Sequence, residues 1–240
     1  MIRGSITYQL HRMRRDWDRR AKENARHYVA TGKTHWTDDE FFATGEQEIR
    51  EQIFNDLGNI CQGKDPQTMR ILEIGCGAGR MTRPLAKFFG EVYAVDISPE
   101  MVRQARRAVD GFPNVRIYRN NGRDLSALRR RWWDPLGLHR NLRLDFALSC
   151  LVFQHIPSRE VIESYLRDVN RLLLPGGLFK FQVQGDAGKN PITDDSWIGK
   201  AISEKDAQDL ADRTGFELRY QYGASTQYYW LWFFKKSGCD

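Results

Sequence analysis

The chain has 240 residues, 41% of them hydrophobic and 12% aromatic, with a formal net charge of +6. This size and make-up describe one globular domain with room for a terminal extension, and they exclude a disordered chain. The positive balance fits a solvated basic surface and leaves room for an acidic partner or substrate.

Four cysteines, Cys61, Cys76, Cys150 and Cys239, show no C-x-x-C spacing and no accompanying His cluster. Neither a metal site nor a disulfide framework is expected, and the cysteines read as reduced thiols. The N-terminal stretch lacks the apolar core of a signal peptide, so a cytoplasmic location is expected. The longest apolar run, residues 228–234, is far shorter than the roughly 20 residues a membrane-spanning helix needs. No membrane association is expected.

Residues 1–44 are Arg-rich, with scattered aromatics and no strand-like run. They read as one or two helices forming an arm or cap, or packing on the domain for stability alone. Residues 45–240 read as the main domain. Thr44 and Gln47 have the spacing of a capping box, and Ile49, Ile53, Phe54, Leu57 and Ile60 follow at helical intervals. A short apolar strand is expected over 70–74, a helix over 81–89 and a second strand over 91–95. Ser98 then caps a helix that has Pro99 at its first position. Strands are expected at 115–119 and 144–149. Ser158 caps a helix that runs to about Leu174 and stops at Pro175-Gly176-Gly177. A fifth strand is expected over 178–184. Ser203 and Asp206 form a capping box for a helix ending near Gly215. Two strands, 216–222 and 227–235, close the chain.

Strands alternating with helices predict a doubly wound, mostly parallel α/β sheet. The link between the last two strands is too short for a crossover helix, so they should pair as an antiparallel hairpin. The expected fold is therefore Rossmann-like, with seven strands, an antiparallel C-terminal hairpin and an N-terminal helical arm or cap. Segments 129–143 and 185–200 interrupt this pattern. The second follows a strand end, where ligands of such sheets bind.

The densest motif is Gly75-Cys76-Gly77-Ala78-Gly79-Arg80 after the first strand. Glycines admit a ligand close to backbone N–H groups, and the following helix N-terminus favours an anion. Arg80 stands where a dinucleotide fingerprint places its third small residue, which suits a smaller anion such as a carboxylate. Glu73 can meet an ammonium group. A purely structural turn is the competing reading. Asp96 ends the second strand, 21 positions after Gly75, where a carboxylate can accept ribose hydroxyls. Ile97 can pack on a base. Asn121 and Gly122 can meet a base edge, or form an ordinary Asn-Gly turn. Cys150 and Leu151 end the fourth strand, and their backbone would face the remainder of the ligand.

The motifs LEIGCGAG, YAVDIS, LDFALSCLVFQHIP and LLLPGGLFKF together resemble the class I S-adenosylmethionine-dependent methyltransferases, in particular their small-molecule branch. The resemblance covers about residues 45–235. It implies the same seven-stranded fold, S-adenosylmethionine as cofactor, S-adenosylhomocysteine as product, and a small-molecule acceptor. It implies cofactor contacts from Glu73, Gly75, Gly77, Asp96, Ile97 and Asn121; Gly79, Arg80, Gly122, Cys150 and Leu151 complete the expected set. The chain departs from many members by carrying Asn121 where they have Asp.

Methyl transfer is an in-line displacement with a neutral leaving group. Alignment can supply about 7–11 kcal/mol of the barrier. A general base adds a factor of about 10²–10⁴ when the nucleophile starts protonated. His155 is the candidate base, and a structural His bonding a nearby loop is the alternative. His27, Tyr28 and Asp186 are weaker candidates for the base, and Tyr28, His155, Asp186 and Trp197 are candidate acceptor contacts. Three rivals stand beside this reading. A nicotinamide or flavin enzyme fits poorly with Arg80 and the closing hairpin. A nucleic-acid (RNA) methyltransferase could use the basic arm and segment 129–143, but its signature motifs are missing, so a nucleic-acid partner is not expected. A non-catalytic binder of the cofactor is the third.

Overall fold

The computed structural model describes residues 5–128, 142–186, 188 and 196–237. Cys239, most of segment 129–143 and half of segment 185–200 lie outside the described residues. Seven strands form where the apolar runs were expected: β1 (Arg70–Ile74), β2 (Glu91–Asp96), β3 (Val115–Arg119), β4 (Leu144–Ser149), β5 (Leu173–Val183), β6 (Phe216–Tyr222) and β7 (Tyr229–Lys235). Their order is β3-β2-β1-β4-β5-β7-β6. The helices are α1 (Ile6–Val29), α2 (Asp38–Gln52), α3 (Leu57–Cys61), α4 (Thr82–Phe88), α5 (Pro99–Ala108), α6 (Arg159–Leu172) and α7 (Glu204–Thr214). Among the described residues no helix is long and apolar enough to cross a membrane.

The chain divides into two compact units, Met13–Gly122 and Met1–Arg12 with Arg123–Asp240. In the first, β1, β2 and β3 are parallel, with Ile71 beside Val92 and Val92 beside Val115. Ile71, Leu72, Val92, Ala94 and Val95 are fully buried, as befits parallel strands covered on both faces. In the second, β4 and β5 are parallel, while β7 runs antiparallel to both β5 and β6. The hairpin expected from the short link is present. It joins β5 through its second strand, which leaves β6 at the edge with most of its residues exposed. Phe153, Phe179, Phe181 and Phe233 form the aromatic core of this unit, with successive ring centroids 4.4–5.8 Å apart.

Ser98, Ser158 and Ser203 cap α5, α6 and α7 as expected, and Gly215 ends α7 with φ of 80°. Three expectations are corrected. The capping box of α2 is Thr37 with Glu40, not Thr44 with Gln47. Thr37 Oγ1 accepts from the Glu40 N–H, and Asp38, Asp39 and Glu40 place negative charge at the helix start. Thr44 lies mid-helix, its hydroxyl donating to the Phe41 carbonyl at 2.7 Å. Second, Pro175-Gly176-Gly177 is an irregularity inside β5, because pairing with β4 begins at Leu173 and resumes at Leu178. Third, β7 begins at Tyr229. In addition α1 is broken at Asn24, whose Oδ1 accepts from the His27 N–H at 3.2 Å and so starts a new short helical turn.

Candidate functional site

In the Met13–Gly122 unit, β1 runs into the glycine loop. Gly75, Gly77 and Gly79 have φ of 79°, 52° and 85°, a region that side chains disfavour. At two of them packing adds a second requirement. A Cβ on Gly77 would stand 2.9 Å from Val29 Cγ2 of α1, and one on Gly79 would stand 3.1 Å from Ala105 Cα of α5. The loop's amides are largely engaged within the protein. Gly75 and Cys76 N–H donate to the Val95 carbonyl, Gly79 N–H to the Cys76 carbonyl, and Gly77 N–H to Asp96 Oδ2 at 2.9 Å. The expected cradle of amides open to an anion is thus mostly closed by the strand-end backbone and by Asp96.

Two carboxylates lie at the ends of the neighbouring strands. Glu73 is 5% exposed and accepts a hydrogen bond from the Thr82 hydroxyl at 2.6 Å. Burial pushes its carboxyl up to about 7, against the opposing pull of Thr82 and Arg80. Asp96 is 8% exposed and accepts from Ser98 N–H at Oδ1 and Gly77 N–H at Oδ2, both at 2.9 Å. Burial again dominates and raises it to about 6, although these N–H groups favour the ionised form. Each carboxylate oxygen has two lone pairs, so Asp96 keeps room for a further donor beside the N–H groups of Ser98, Gly77 and Ile97. Two buried acids near neutrality suit a ligand that brings a cation and hydroxyl donors.

Arg80 lies beside this pair in sequence, but its guanidinium turns to α2. Nη1 donates to the Thr44 carbonyl at 3.1 Å, and Nη2 is 3.7 Å from Glu48 Oε2. Gly45 of α2 sits so close to the Arg80 carbonyl that any Cβ there would overlap it. Ile97 is half-buried and packs on Gly122, where a Cβ would collide with its Cδ1. Met13 Cε would lie 3.4 Å from the same Cβ. Asn121 is exposed. Its neighbour Asn120 is buried and shapes the turn, Oδ1 accepting from the Gly122 N–H at 3.3 Å. Tyr28 is half-buried on α1 and donates to Glu23 at 3.2 Å, while His27 Nδ1 donates to the Lys33 carbonyl at 2.9 Å.

In the second unit the β4 end is held by amides. Leu151 takes φ of 59°, unusual for a branched side chain, and its N–H donates to Gln182 Oε1 at 3.0 Å. Gln182 Nε2 donates to Gln154 Oε1 at 3.0 Å, and Gln154 Nε2 meets His155 Nε2 at 3.2 Å. His155 Nδ1 contacts the Trp197 carbonyl, and the two rings lie 5.1 Å apart. A carbonyl only accepts, so the proton sits on Nδ1 and Nε2 is the acceptor for Gln154. Every donor therefore points the same way along the relay. His155, 5% exposed with both nitrogens engaged, has the geometry of a positioned imidazole rather than of an open base. Cys150 and Trp197 are half-buried. Asp186 closes a local turn, accepting from the Gly188 N–H at 2.9 Å. Among the described residues no group of three or more His, Cys, Asp or Glu could hold a metal ion.

Thr82, Met13 and the Gln182–Gln154 pair escaped the sequence reading. Thr82 follows the loop at a spacing no motif marks. The others are ordinary residues joined by long-range contacts.

Residues 72–179 match the family model of a methyltransferase domain. A ubiquinone biosynthesis O-methyltransferase from Cereibacter sphaeroides is 30% identical over 132 residues, covering 54% of this chain and 47% of that protein. The chain thus spans less than half the length of such curated relatives. Solved structures share the fold at low identity. A magnesium protoporphyrin IX methyltransferase from Synechocystis PCC 6803, with S-adenosylhomocysteine bound, gives a TM-score of 0.63 at 16% identity, covering 93% of this chain and 98% of that one. A phosphoethanolamine N-methyltransferase from Haemonchus contortus gives 0.69 at 12% identity, covering 99% of this chain and 51% of that one. Residues 72–179 of the chain thus carry a methyltransferase-domain match, on a fold shared with solved methyltransferase structures.

Proposed function

We propose that the chain transfers a methyl group from S-adenosylmethionine to a small-molecule acceptor, releasing S-adenosylhomocysteine without a metal. The observation that carries this reading is the pair of buried, raised carboxylates, Glu73 and Asp96, at the ends of adjacent strands. The donor set fits the cofactor. Glu73 would hold the ammonium group, and Asp96 would accept the ribose hydroxyls through its remaining lone pairs. Ile97 and Gly122 would line the base, with Asn121 at its edge. When bound, the cofactor supplies an activated methyl group on a sulfonium. The chain's task is then to align the acceptor and exclude water.

Residues 45–240 would form the catalytic domain and residues 1–44 its arm, in a cytoplasmic setting. Similar proteins named for ubiquinone biosynthesis, magnesium protoporphyrin IX and phosphoethanolamine support a small-molecule acceptor. Isothermal titration with S-adenosylmethionine, S-adenosylhomocysteine and NAD tests the reading. The first two should bind and NAD should not. Tight NAD binding with no response to S-adenosylmethionine would overturn it. Consumption of the donor with a panel of small acceptors then separates an enzyme from a binder.

A further inference from the structure

The arm helix α1 reaches the donor-binding carboxylate through a chain of hydrogen bonds. Asp18, on α1, accepts at Oδ1 from the Ser98 hydroxyl at 3.0 Å and from the Glu100 N–H at 3.1 Å. It thereby places a negative charge at the N-terminus of α5, where the helix dipole favours it. Lys22 pairs with its other oxygen at 2.7 Å. Burial would raise this carboxyl, but the Lys22 ammonium and the two donors from α5 hold it below its ordinary value. Ser98 in turn donates its N–H to Asp96 Oδ1 at 2.9 Å, and Asp96 Oδ2 accepts from Gly77. Ser98 is wholly buried, so its hydroxyl proton has no recourse to bulk water. The Ser98 oxygen also accepts from the Met101 N–H at 3.2 Å, which leaves that proton as its one donor.

From this chain we infer that Asp18 is a positioning residue for the methyl donor, keeping the Ser98 hydroxyl off Asp96 so that Asp96 can accept the donor's ribose hydroxyls. With Asp18 removed, the buried hydroxyl must find another acceptor. Asp96, already bonded to the N–H of the same residue, is the acidic group in its hydrogen-bond set. A lone pair intended for the ligand would then be filled from within. The same contact docks α1 on α5, beside the apolar cluster of Ala21, Ala25, Phe41, Ala78 and Met101. The arm would therefore belong to the donor site as well as to the scaffold.

The inference rests on the proposed donor, and a ligand comparison separates the two. S-adenosylhomocysteine and its 2′,3′-dideoxy analogue are titrated into wild type, Asp18→Ala and Asp18→Asn. Asp18→Ala should weaken S-adenosylhomocysteine about tenfold, the scale of one buried hydrogen bond, and the dideoxy analogue less than twofold. Asp18→Asn keeps an acceptor oxygen for Ser98 and should restore most of the affinity. Equal losses on both ligands, or no loss on either, overturn the positioning role and leave the donor reading standing. Failure of wild type to bind S-adenosylhomocysteine removes the donor reading and this inference with it. If Asp18→Ala does not fold, Asp18→Leu, which likewise lacks an acceptor, carries the same comparison.

Discussion

In the Met13–Gly122 unit, two acids at neighbouring strand ends are buried and raised to about 7 and about 6. In the second unit, the buried polar groups at the end of β4 are neutral, and Leu151, Gln182, Gln154, His155 and Trp197 bond in one direction. The first arrangement leaves charge under-compensated and, on the proposed reading, would be completed by a ligand with positive charge and donors. The second bonds its members to one another. Burial of an unpaired charge costs stability and signals a binding task, whereas a saturated neutral network fixes geometry.

The sharpest way to break this contrast is Gln182→Leu. It leaves the Leu151 N–H and the Gln154 carbonyl oxygen without their partner, at about 1–3 kcal/mol each and about 4 kcal/mol together. Denaturant unfolding should show this loss equally at pH 5 and pH 8, since no member of that pair titrates. A loss below about 1 kcal/mol would mean the relay is dispensable.

Glu73→Gln should act in the opposite direction. The folded-state value of about 7 lies above the ordinary 4.5, so the folded protein holds this proton more tightly than the unfolded chain. The stability tied to that proton is complete below pH 4.5 and is lost as pH rises through 7. Gln carries no such penalty. Unfolding midpoints should therefore coincide near pH 4 and diverge above it, the variant becoming more stable by about 3 kcal/mol at pH 8. The same variant should bind S-adenosylmethionine more weakly. In wild type at pH 6.5, donor binding should release protons, seen as a dependence of titration heat on buffer. Glu73→Gln should lose the share of that release that comes from Glu73.

The smallest effect is expected at His155. Nitrogen-resolved NMR should find the neutral ring with its proton on Nδ1. Turnover of His155→Gln, measured on whichever acceptor the panel reveals, should stay within a few-fold of wild type. A hundredfold loss in a folded variant would return His155 to the role of general base.

Local chemistry explains why much of this was legible in the chain. Ser98, Ser158 and Ser203 cap helices through atoms two or three residues away, so their neighbours suffice to identify them. Continuous apolar runs mark the parallel strands, and the short link at residues 223–228 permits only an antiparallel pair. Thr37 and Thr44 both begin a capping-box spacing, with Glu40 and Gln47 respectively. Thr37 has both arms of its box and an acidic first turn, while α2 continues through Thr44 and presses Gly45 against the Arg80 backbone. That packing also draws the Arg80 guanidinium to Thr44 and Glu48, away from the role its position in the motif suggested.

By itself the sequence determined the strand-and-helix alternation, the closing hairpin, the glycine loop and the two acids on either side of it, because period, turn chemistry and strand-end position are local properties. The tertiary structure alone decided which polar groups those acids meet and which way each imidazole or amide hydrogen points. It decided that Asn120 rather than Asn121 shapes its turn, and that an arm helix reaches Asp96 through Ser98. Those outcomes depend on burial and on partners far apart in the chain, where the loss of water sets the strength of every charge and hydrogen bond.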